Sequence, residues 1–181
     1  MKALKGYNEA KPSGDFERLP AGGYVVKITG VKDDTKKEYL QIVYDIAEGP
    51  EAGRYAKEDP DNDYRHAFIR SYKEKALGML KAFIQAVDET NGTKLGEQVE
   101  SGLDEAQLVG KTVGAVFGYE EYETNAGEIK QRLYVKSFKT AEQIRQGDYT
   151  VPAFKPLTNK KAAAGAIPEG FTALTDDDIP F

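Results

Sequence analysis

The sequence predicts a mainly β fold with one helix, and three observations lead to that prediction. Apolar and polar residues alternate in two neighbouring early segments, 24–29 and 39–46, as they do in half-buried strands. Segment 76–87 instead carries its apolar residues at helical spacing. Alternation returns in two later segments, 113–119 and 132–136. The pattern therefore runs from strands through one long helix and back to strands.

The early strands predict a hairpin whose turn is the polar run 32–37. Arg54-Tyr55-Ala56 is then predicted to begin a third strand. The acidic run 58–63 interrupts it as a loop, and residues 65–71 are extended again. Three strands are thus expected before the helix.

The helix is predicted to end at Asn91-Gly92, and Asn125-Ala126-Gly127 is the turn between the two late strands. Residues 141–146 fit a further short helical turn. The order of three strands, one helix and two strands is that of the OB-fold, a five-stranded Greek-key barrel. We expect this barrel over residues 22–150.

The composition of the remaining segments predicts that they lie outside the folded domain. Residues 1–21 are polar and rich in Gly and Pro, which indicates a flexible N-terminal arm. Residues 151–175 have the composition of a flexible linker, and residues 176–181 form an acidic tip. The expected architecture is therefore one domain with a disordered C-terminal tail.

Charge and composition narrow the possible functions. The chain has 181 residues, no Cys and a net charge of −5. Residues 162–181 contain four acids and no Lys or Arg, which leaves 25 basic residues against 26 acidic ones elsewhere. Without Cys there is no disulfide framework and no thiolate site. The sequence contains neither an apolar span nor an export signal, so we expect no membrane contact and a cytoplasmic location.

The sequence ends with a run of acids followed by apolar residues: Asp176, Asp177, Asp178, Ile179, Pro180 and Phe181. This end resembles the C-terminal tip of bacterial single-stranded DNA-binding proteins, in all six residues. The resemblance implies that the tip docks on replication, recombination and repair proteins. Phe181 would fill an apolar pocket and its α-carboxylate would meet a basic side chain, while Ile179 adds apolar contact, Pro180 restricts the approach and the aspartates steer the tail.

The rest of the chain lacks Trp, which the usual bacterial members carry on their DNA-facing strands. It is more similar to phage-encoded proteins that share the tail. The resemblance implies non-enzymatic, sequence-independent binding of single-stranded DNA, in the cytoplasm of a bacterial host. Related proteins are monomers, dimers or tetramers, so a homo-oligomer is left open.

Binding of a single strand without sequence preference needs cations for phosphates and flat rings for bases. Arg132, Tyr134 and Lys136 alternate with Leu133 and Val135, and this alternation places them on one strand face. A solvated outer face would show the same alternation, so both interpretations stay open. The other candidates, on strands and in the two loops that hold ligands in OB-folds, are Lys27, Lys32, Lys36, Lys37, Tyr39, Gln41, Arg54, Tyr55, Arg70, Tyr122 and Lys130.

Catalytic and metal-binding patterns are incomplete. Asp59-x-Asp61-x-Asp63 begins like a calcium loop, but Tyr64 replaces the Gly and Arg70 replaces the Glu that such a loop requires. His66 is the single His and has no Cys companion. We therefore expect a non-enzymatic protein without metal or cofactor.

A second interpretation comes from a different functional class. The barrel would be a replication or recombination adaptor that binds mainly proteins and has weak DNA affinity, an interpretation that the near-neutral body favours. The two interpretations differ in salt dependence, because phosphate contacts make DNA affinity fall steeply as salt rises.

Replacing both Arg132 and Tyr134 by Ala is expected to weaken oligonucleotide binding while the protein stays folded, because a cation and a ring are removed from one strand face. Fluorescence anisotropy with a labelled oligo-dT measures the affinity, and circular dichroism checks the fold. Unchanged affinity in a folded double variant would remove this face from the binding site.

Overall fold

The computed structural model describes residues 18–58 and 66–157. Within them the chain forms five strands: β1 (Gly22–Asp34), β2 (Tyr39–Ile46), β3 (Ala67–Ser71), β4 (Thr112–Glu123) and β5 (Ile129–Lys139). The α-helices are α1 (Arg54–Glu58), α2 (Leu77–Asn91) and α3 (Ala141–Arg145). Short 3₁₀ helices cover Glu74–Ala76, Leu95–Ser101 and Glu105–Leu108. The mainly β prediction is confirmed, and α3 lies in the segment 141–146 that was expected to form a short helical turn. The short helix α1 was not expected and adds to the one long helix, α2.

All five strands belong to one open antiparallel sheet with the order β3-β2-β1-β4-β5. The first strand β1 is central, and it uses its two halves for different neighbours. Residues 22–27 pair with β4, while residues 26–34 pair with β2. A register shift between Ile28 and Gly30 marks a bulge, which bends the strand and increases its twist. One long strand therefore joins the two hairpins of the sheet.

The alternating apolar residues of the strands form the core against α2. Val26, Ile28, Ile42, Val113 and Ala115 have no exposed surface. They face inward with the other apolar residues of their strands, as the alternation predicts. One face of the sheet is thus covered by α2.

Three phenylalanine rings connect the two edges of the sheet to the helix. Phe68 on β3 lies 5.1 Å from Phe138 on β5, measured between ring centroids. Phe83 of α2 lies 5.7 Å from Phe68 and 4.8 Å from Phe138. Edge-to-face and tilted ring pairs of this kind contribute beyond their buried area. The edges β3 and β5 therefore meet through side chains rather than through a hydrogen-bond ladder.

The helix α2 ends where the sequence predicts. Gly92 has a left-handed backbone with φ 64°, a conformation that favours glycine. The Asn91 side chain donates to the Thr112 carbonyl at 2.7 Å and accepts from its amide at 3.1 Å. This pair of hydrogen bonds fixes the end of α2 to the start of β4.

The prediction that a third strand begins at Arg54-Tyr55-Ala56 is wrong, because these residues form the first turn of α1. The carboxylate of Asp45 on β2 accepts hydrogen bonds from the amides of Tyr55 and Ala56, each at 3.0 Å. A carboxylate that accepts the first amides of a helix stabilises that helix. The third strand is instead β3, in the segment that was expected to be extended again.

A second, smaller apolar cluster lies on the outer face of the sheet, opposite α2. Val25 and Val116 pack there against Ala141 and Ile144 of α3. Gly114 makes this close approach possible, because a Cβ on it would lie 2.5 Å from Ile144 Cγ1. The outer face is therefore covered near the start of β4.

Residues 151–157, which the sequence assigns to the linker, lie along β4. Lys155 donates its amide to the Tyr119 carbonyl at 3.0 Å and accepts from the Glu121 amide at 2.9 Å. Pro152 lies so close to Gly118 that a Cβ there would be 2.5 Å from its Cγ. This segment occupies the part of the β4 edge that lies beyond the start of β1.

Replacing Gly114 by Ala is expected to destabilise the protein by about 1–3 kcal/mol, because the added methyl group overpacks the contact with α3. Urea unfolding followed by circular dichroism measures the change. Gly78→Ala in α2 is the matched control, since no atom lies within 4 Å of the added Cβ. It is expected to stabilise by up to about 1 kcal/mol. Equal effects of both substitutions would contradict this packing.

Candidate nucleic-acid interface

The outer face of β1, β2 and β3 carries a row of polar and apolar side chains. The strand register places Lys32 opposite Gln41, and Gln41 opposite Ile69. One step further along, Tyr39 lies between Asp34 and Ser71. Lys32 and Ile69 are exposed, while Tyr39 and Gln41 are half-buried. These positions form a continuous surface next to the first hairpin turn, and we call Lys32, Tyr39, Gln41 and Ile69 the hairpin face.

The turn adds two lysines to the hairpin face. Lys37 lies 3.4 Å from the Asp34 carboxylate and 5.9 Å from the centre of the Tyr39 ring. The electrostatic influence of Tyr39, followed by the hydrogen bond and charge of Asp34, raises the pKa of Lys37. Lys36 is exposed in the same turn. Lys37 is therefore held as a cation beside an aromatic ring, and Lys36 adds a second exposed lysine to the turn.

Three lysines of this region have no acidic partner within the part of the chain that the structure describes. Lys27, Lys32 and Lys36 are exposed, and none makes an ion pair with any of the residues 18–58 and 66–157. Lys27 faces outward on β1, opposite Asp45 of β2. An unpaired lysine keeps its full charge for a phosphate. This half of the sheet therefore offers cations that no described acid pairs with.

The outer face of β4 and β5 has a different electrostatic character. Arg132 lies 2.8 Å from the Glu120 carboxylate and 5.2 Å from the centre of the Tyr122 ring. Lys130 lies 2.8 Å from the Glu128 carboxylate. Lys130 and Arg132, two of the three cations predicted on this hairpin, are therefore each paired with an acid.

Tyr134 and Lys136 were expected to be available on one strand face with Arg132, and the structure differs at both residues. The Tyr134 ring lies 4.1 Å from the Lys155 ammonium, and its hydroxyl is buried without a hydrogen-bond partner among the described residues. Lys136 is exposed and falls at the register shift where β4 passes from Val116 to Phe117. The residues 151–157 thus cover the ring that the alternation of β5 predicts to be available.

The hydrogen-bond ladder separates the two groups of candidates. The hairpin face lies beside the last residues of β1, near Asp34. Tyr122, Lys130 and Arg132 lie beyond Phe117, the residue that pairs with Gly22 at the start of β1. The candidates therefore form two groups at opposite ends of the central strand, with Lys27 between them.

Two predicted arginines face away from both groups. The Arg54 side chain is buried, and its guanidinium donates to the Glu51 carboxylate at 2.6 Å. Arg70 points to the inner face, where its guanidinium carbon lies 4.5 Å from the centre of the Phe138 ring and 5.1 Å from that of Phe68. Burial lowers the pKa of Arg70 to about 10, so it remains a cation at neutral pH. Both arginines belong to the packing of the domain.

The candidate Tyr55 lines a pocket that the sequence did not indicate. The pocket has a volume of about 250 Å³ and is lined by Thr29, Gly30, Val43, Asp45, Tyr55, Ala56 and His66. Tyr55 is stacked on His66 with ring centroids 4.8 Å apart and an angle of 15° between the rings. The one sequence signal for this pocket is a glycine inside a strand, which often marks a close approach.

The aromatic wall of the pocket is held in place by its neighbours. Tyr44 meets Tyr55 edge to face, with ring centroids 5.7 Å apart. Burial, followed by the charge and hydrogen bond of Tyr55, raises the pKa of Tyr44 well above its ordinary value. Burial also raises the pKa of Tyr55, although Tyr44 and Arg54 lower it in part. Both phenols are therefore neutral at physiological pH.

Several predicted features lie outside the described residues. These are residues 1–17 of the expected N-terminal arm, residues 158–175 of the expected linker, the acidic tip 176–181, and residues 59–65, which contain the incomplete calcium-loop pattern. Within residues 18–58 and 66–157, no helix has the length and apolar character needed to cross a bilayer.

The chain belongs to the DUF669 family. The model of this family, whose description is a protein of unknown function, matches residues 6–164 and so spans every strand and helix described above. No curated protein matches the chain.

Replacing Asp45 by Ala is expected to destabilise the protein by about 1–3 kcal/mol, because the Tyr55 and Ala56 amides lose their acceptor in a part-buried site. Thermal and urea unfolding measure this. Asp104→Ala is the control, since Asp104 accepts one exposed amide, that of Ala106, at 3.0 Å. Its removal is expected to cost no more than about 1 kcal/mol. An Asp45→Ala variant as stable as the wild type would show that the carboxylate does not hold α1.

Proposed function

We propose that this protein binds single-stranded DNA without sequence preference and without catalysis, in replication, recombination or repair. The observation that carries the proposal is that Lys27 and Lys32 on the outer sheet face, and Lys36 in the adjoining turn, are exposed and make no ion pair among the described residues. Tyr39 and Gln41 lie on the same face. Cations for phosphates and a ring for bases are what such binding requires. The hairpin face is therefore the proposed centre of the site.

The proposal includes an OB-fold. Its support is the spatial order β4-β1-β2-β3, which is that of a Greek key, and the helix α2 between β3 and β4 in the chain. The contact of Phe68 with Phe138 brings together the edges of the open sheet. In OB-folds the faces of the second and third strands and the two hairpin loops bind oligonucleotides. Both candidate groups lie at these places.

The last six residues support the second part of the proposal. Asp176-Asp177-Asp178 followed by Ile179-Pro180-Phe181 resembles the docking tip of bacterial single-stranded DNA-binding proteins. We propose that this tip recruits replication or recombination proteins, while the sheet holds the strand. A phage origin and a place in the bacterial cytoplasm belong to the same proposal.

The adaptor function has its own supporting observation. The cations Lys130 and Arg132 on the β4–β5 hairpin are neutralised by Glu128 and Glu120. A surface of paired charges suits a protein partner better than a phosphate backbone. The adaptor would therefore use this hairpin and would show weak, nearly salt-independent DNA binding.

Replacing Lys27, Lys32 and Lys36 together by Ala is expected to lower the affinity for oligo-dT and to flatten its salt dependence. Each lost phosphate contact reduces the slope of log K against log salt by about 0.7 for a single strand, so three lost contacts reduce it by about 2. Fluorescence anisotropy over a range of salt concentrations measures the affinity and the slope. A matching duplex tests the preference for a single strand.

The control variant replaces Lys73, Lys75 and Lys81 by Ala. These lysines are exposed, lie in and just before the helical segment, and change the net charge by the same amount. Equal losses in both variants would mean that net charge rather than the outer face decides binding. Absence of oligo-dT binding by the wild type would overturn the proposal in favour of the adaptor.

The same measurement on a chain that ends at Thr175 tests whether the sheet binds DNA without the acidic tip. DNA affinity is expected to persist or to increase, because three aspartates that repel the strand are removed. Loss of DNA binding on this truncation would contradict the proposed role of the tip.

A further inference from the structure

We infer that the pocket beside Gly30 receives one unstacked base of the bound strand. The inference rests on the proposed binding of single-stranded DNA, and it adds a base subsite to a surface otherwise defined by cations. The pocket opens between the outer face of β1 and β2 on one side and α1 with His66 on the other.

The size of the pocket fits a single ring system. Drug-sized ligands occupy pockets of about 300–1,000 Å³, and the volume here is about 250 Å³. The stacked rings of Tyr55 and His66 form one wall, and Val43 contributes an apolar surface. Aromatic and apolar walls are what a flat base packs against in proteins that hold single strands.

The floor of the pocket depends on the missing side chain of Gly30. The φ angle of Gly30 is not in the left-handed region, so the backbone does not require glycine there. A Cβ on Gly30 would lie 3.7 Å from Val43 Cβ, an ordinary contact, so the strand has room for a side chain. Glycine at this position therefore keeps the pocket open rather than keeping the strand unstrained.

Polar groups at the pocket suit the edge of a base and the phosphate attached to it. Thr29 and Asp45 line the pocket, and the Thr29 hydroxyl can accept a hydrogen bond from a ring or amino N–H group. The Asp45 carboxylate is already held by the amides of Ile46, Tyr55 and Ala56, which fixes this side of the pocket. Lys27 faces outward directly opposite Asp45, so a strand whose base enters the pocket passes beside this cation. The bulge between Ile28 and Gly30 places Gly30 opposite Val43, so that Thr29 and Gly30 both line the pocket.

The test places a side chain in the pocket at Gly30. Gly30→Leu is expected to lower the affinity for an oligo-dT of about 12 nucleotides by about 5- to 150-fold, the range that corresponds to one lost base contact. The salt slope is expected to stay unchanged, because no phosphate contact is removed. Gly78→Leu on α2 is the control, since a Cβ at Gly78 would meet no atom within 4 Å and Gly78 lies outside the pocket, and its affinity is expected to equal that of the wild type.

A second measurement uses the unaltered full-length chain, so that the test does not depend on the folding of a variant. In nuclear magnetic resonance titrations with the same oligonucleotide, the amide signals of Thr29, Gly30 and Ala56 are expected to shift. Unchanged affinity of folded Gly30→Leu, or no shift of these signals while the hairpin face responds, would overturn the base subsite and leave the proposed function standing. Absence of binding by the wild type would overturn both.

Discussion

The meeting of Phe68, Phe83 and Phe138 is the interaction on which the shape of the domain depends. The sheet is open between β3 and β5, and these edge strands come together through the three rings rather than through paired backbones. Arg70 lies over two of the rings and closes the remaining gap from within. The three rings therefore hold both edge strands of the sheet against α2, on the face opposite to that of Lys32 and Gln41.

The long strand β1 decides how that surface is divided. Its first half pairs with β4 and is covered on the outside by α3, through Val25 and Ile144. Its second half pairs with β2, and no described segment covers its outer face, which carries lysines without an ion pair among the described residues and the pocket beside Gly30. The two halves therefore differ in accessibility because α3 occupies one of them, and the proposed site lies on the other.

The parts of the structure that could be predicted from the sequence are those with local causes. The helical spacing that defines α2, the left-handed glycine after Asn91 and the alternation of the strands all depend on neighbouring residues. The misassignment of residues 54–56 has a distant cause, because the carboxylate that starts α1 comes from Asp45 on another element. No pattern within 54–56 carries that information.

The candidate site was only partly predictable for the same reason. Strict alternation from Lys27 would place Lys32 on the inner face, and the bulge between Ile28 and Gly30 restores it to the outer face. The pairing of Arg132 with Glu120 and the cover that Lys155 gives to Tyr134 depend on contacts between separate segments. Residue types on a strand therefore indicate which side chains could bind DNA, while the register and the neighbouring segments decide which are available.

The segment around Lys155 has a consequence for the behaviour of the protein at high concentration. Exposed strand edges invite pairing with other chains and so promote aggregation. Since β1 begins opposite Phe117, the backbone of β4 from Tyr119 onward would be such an edge, and Lys155 satisfies it at Tyr119 and Glu121. A lysine on the covering segment adds a charge that an incoming strand would have to bury. The residues that follow α3 thus cover a strand edge that would otherwise be open to pairing with another chain.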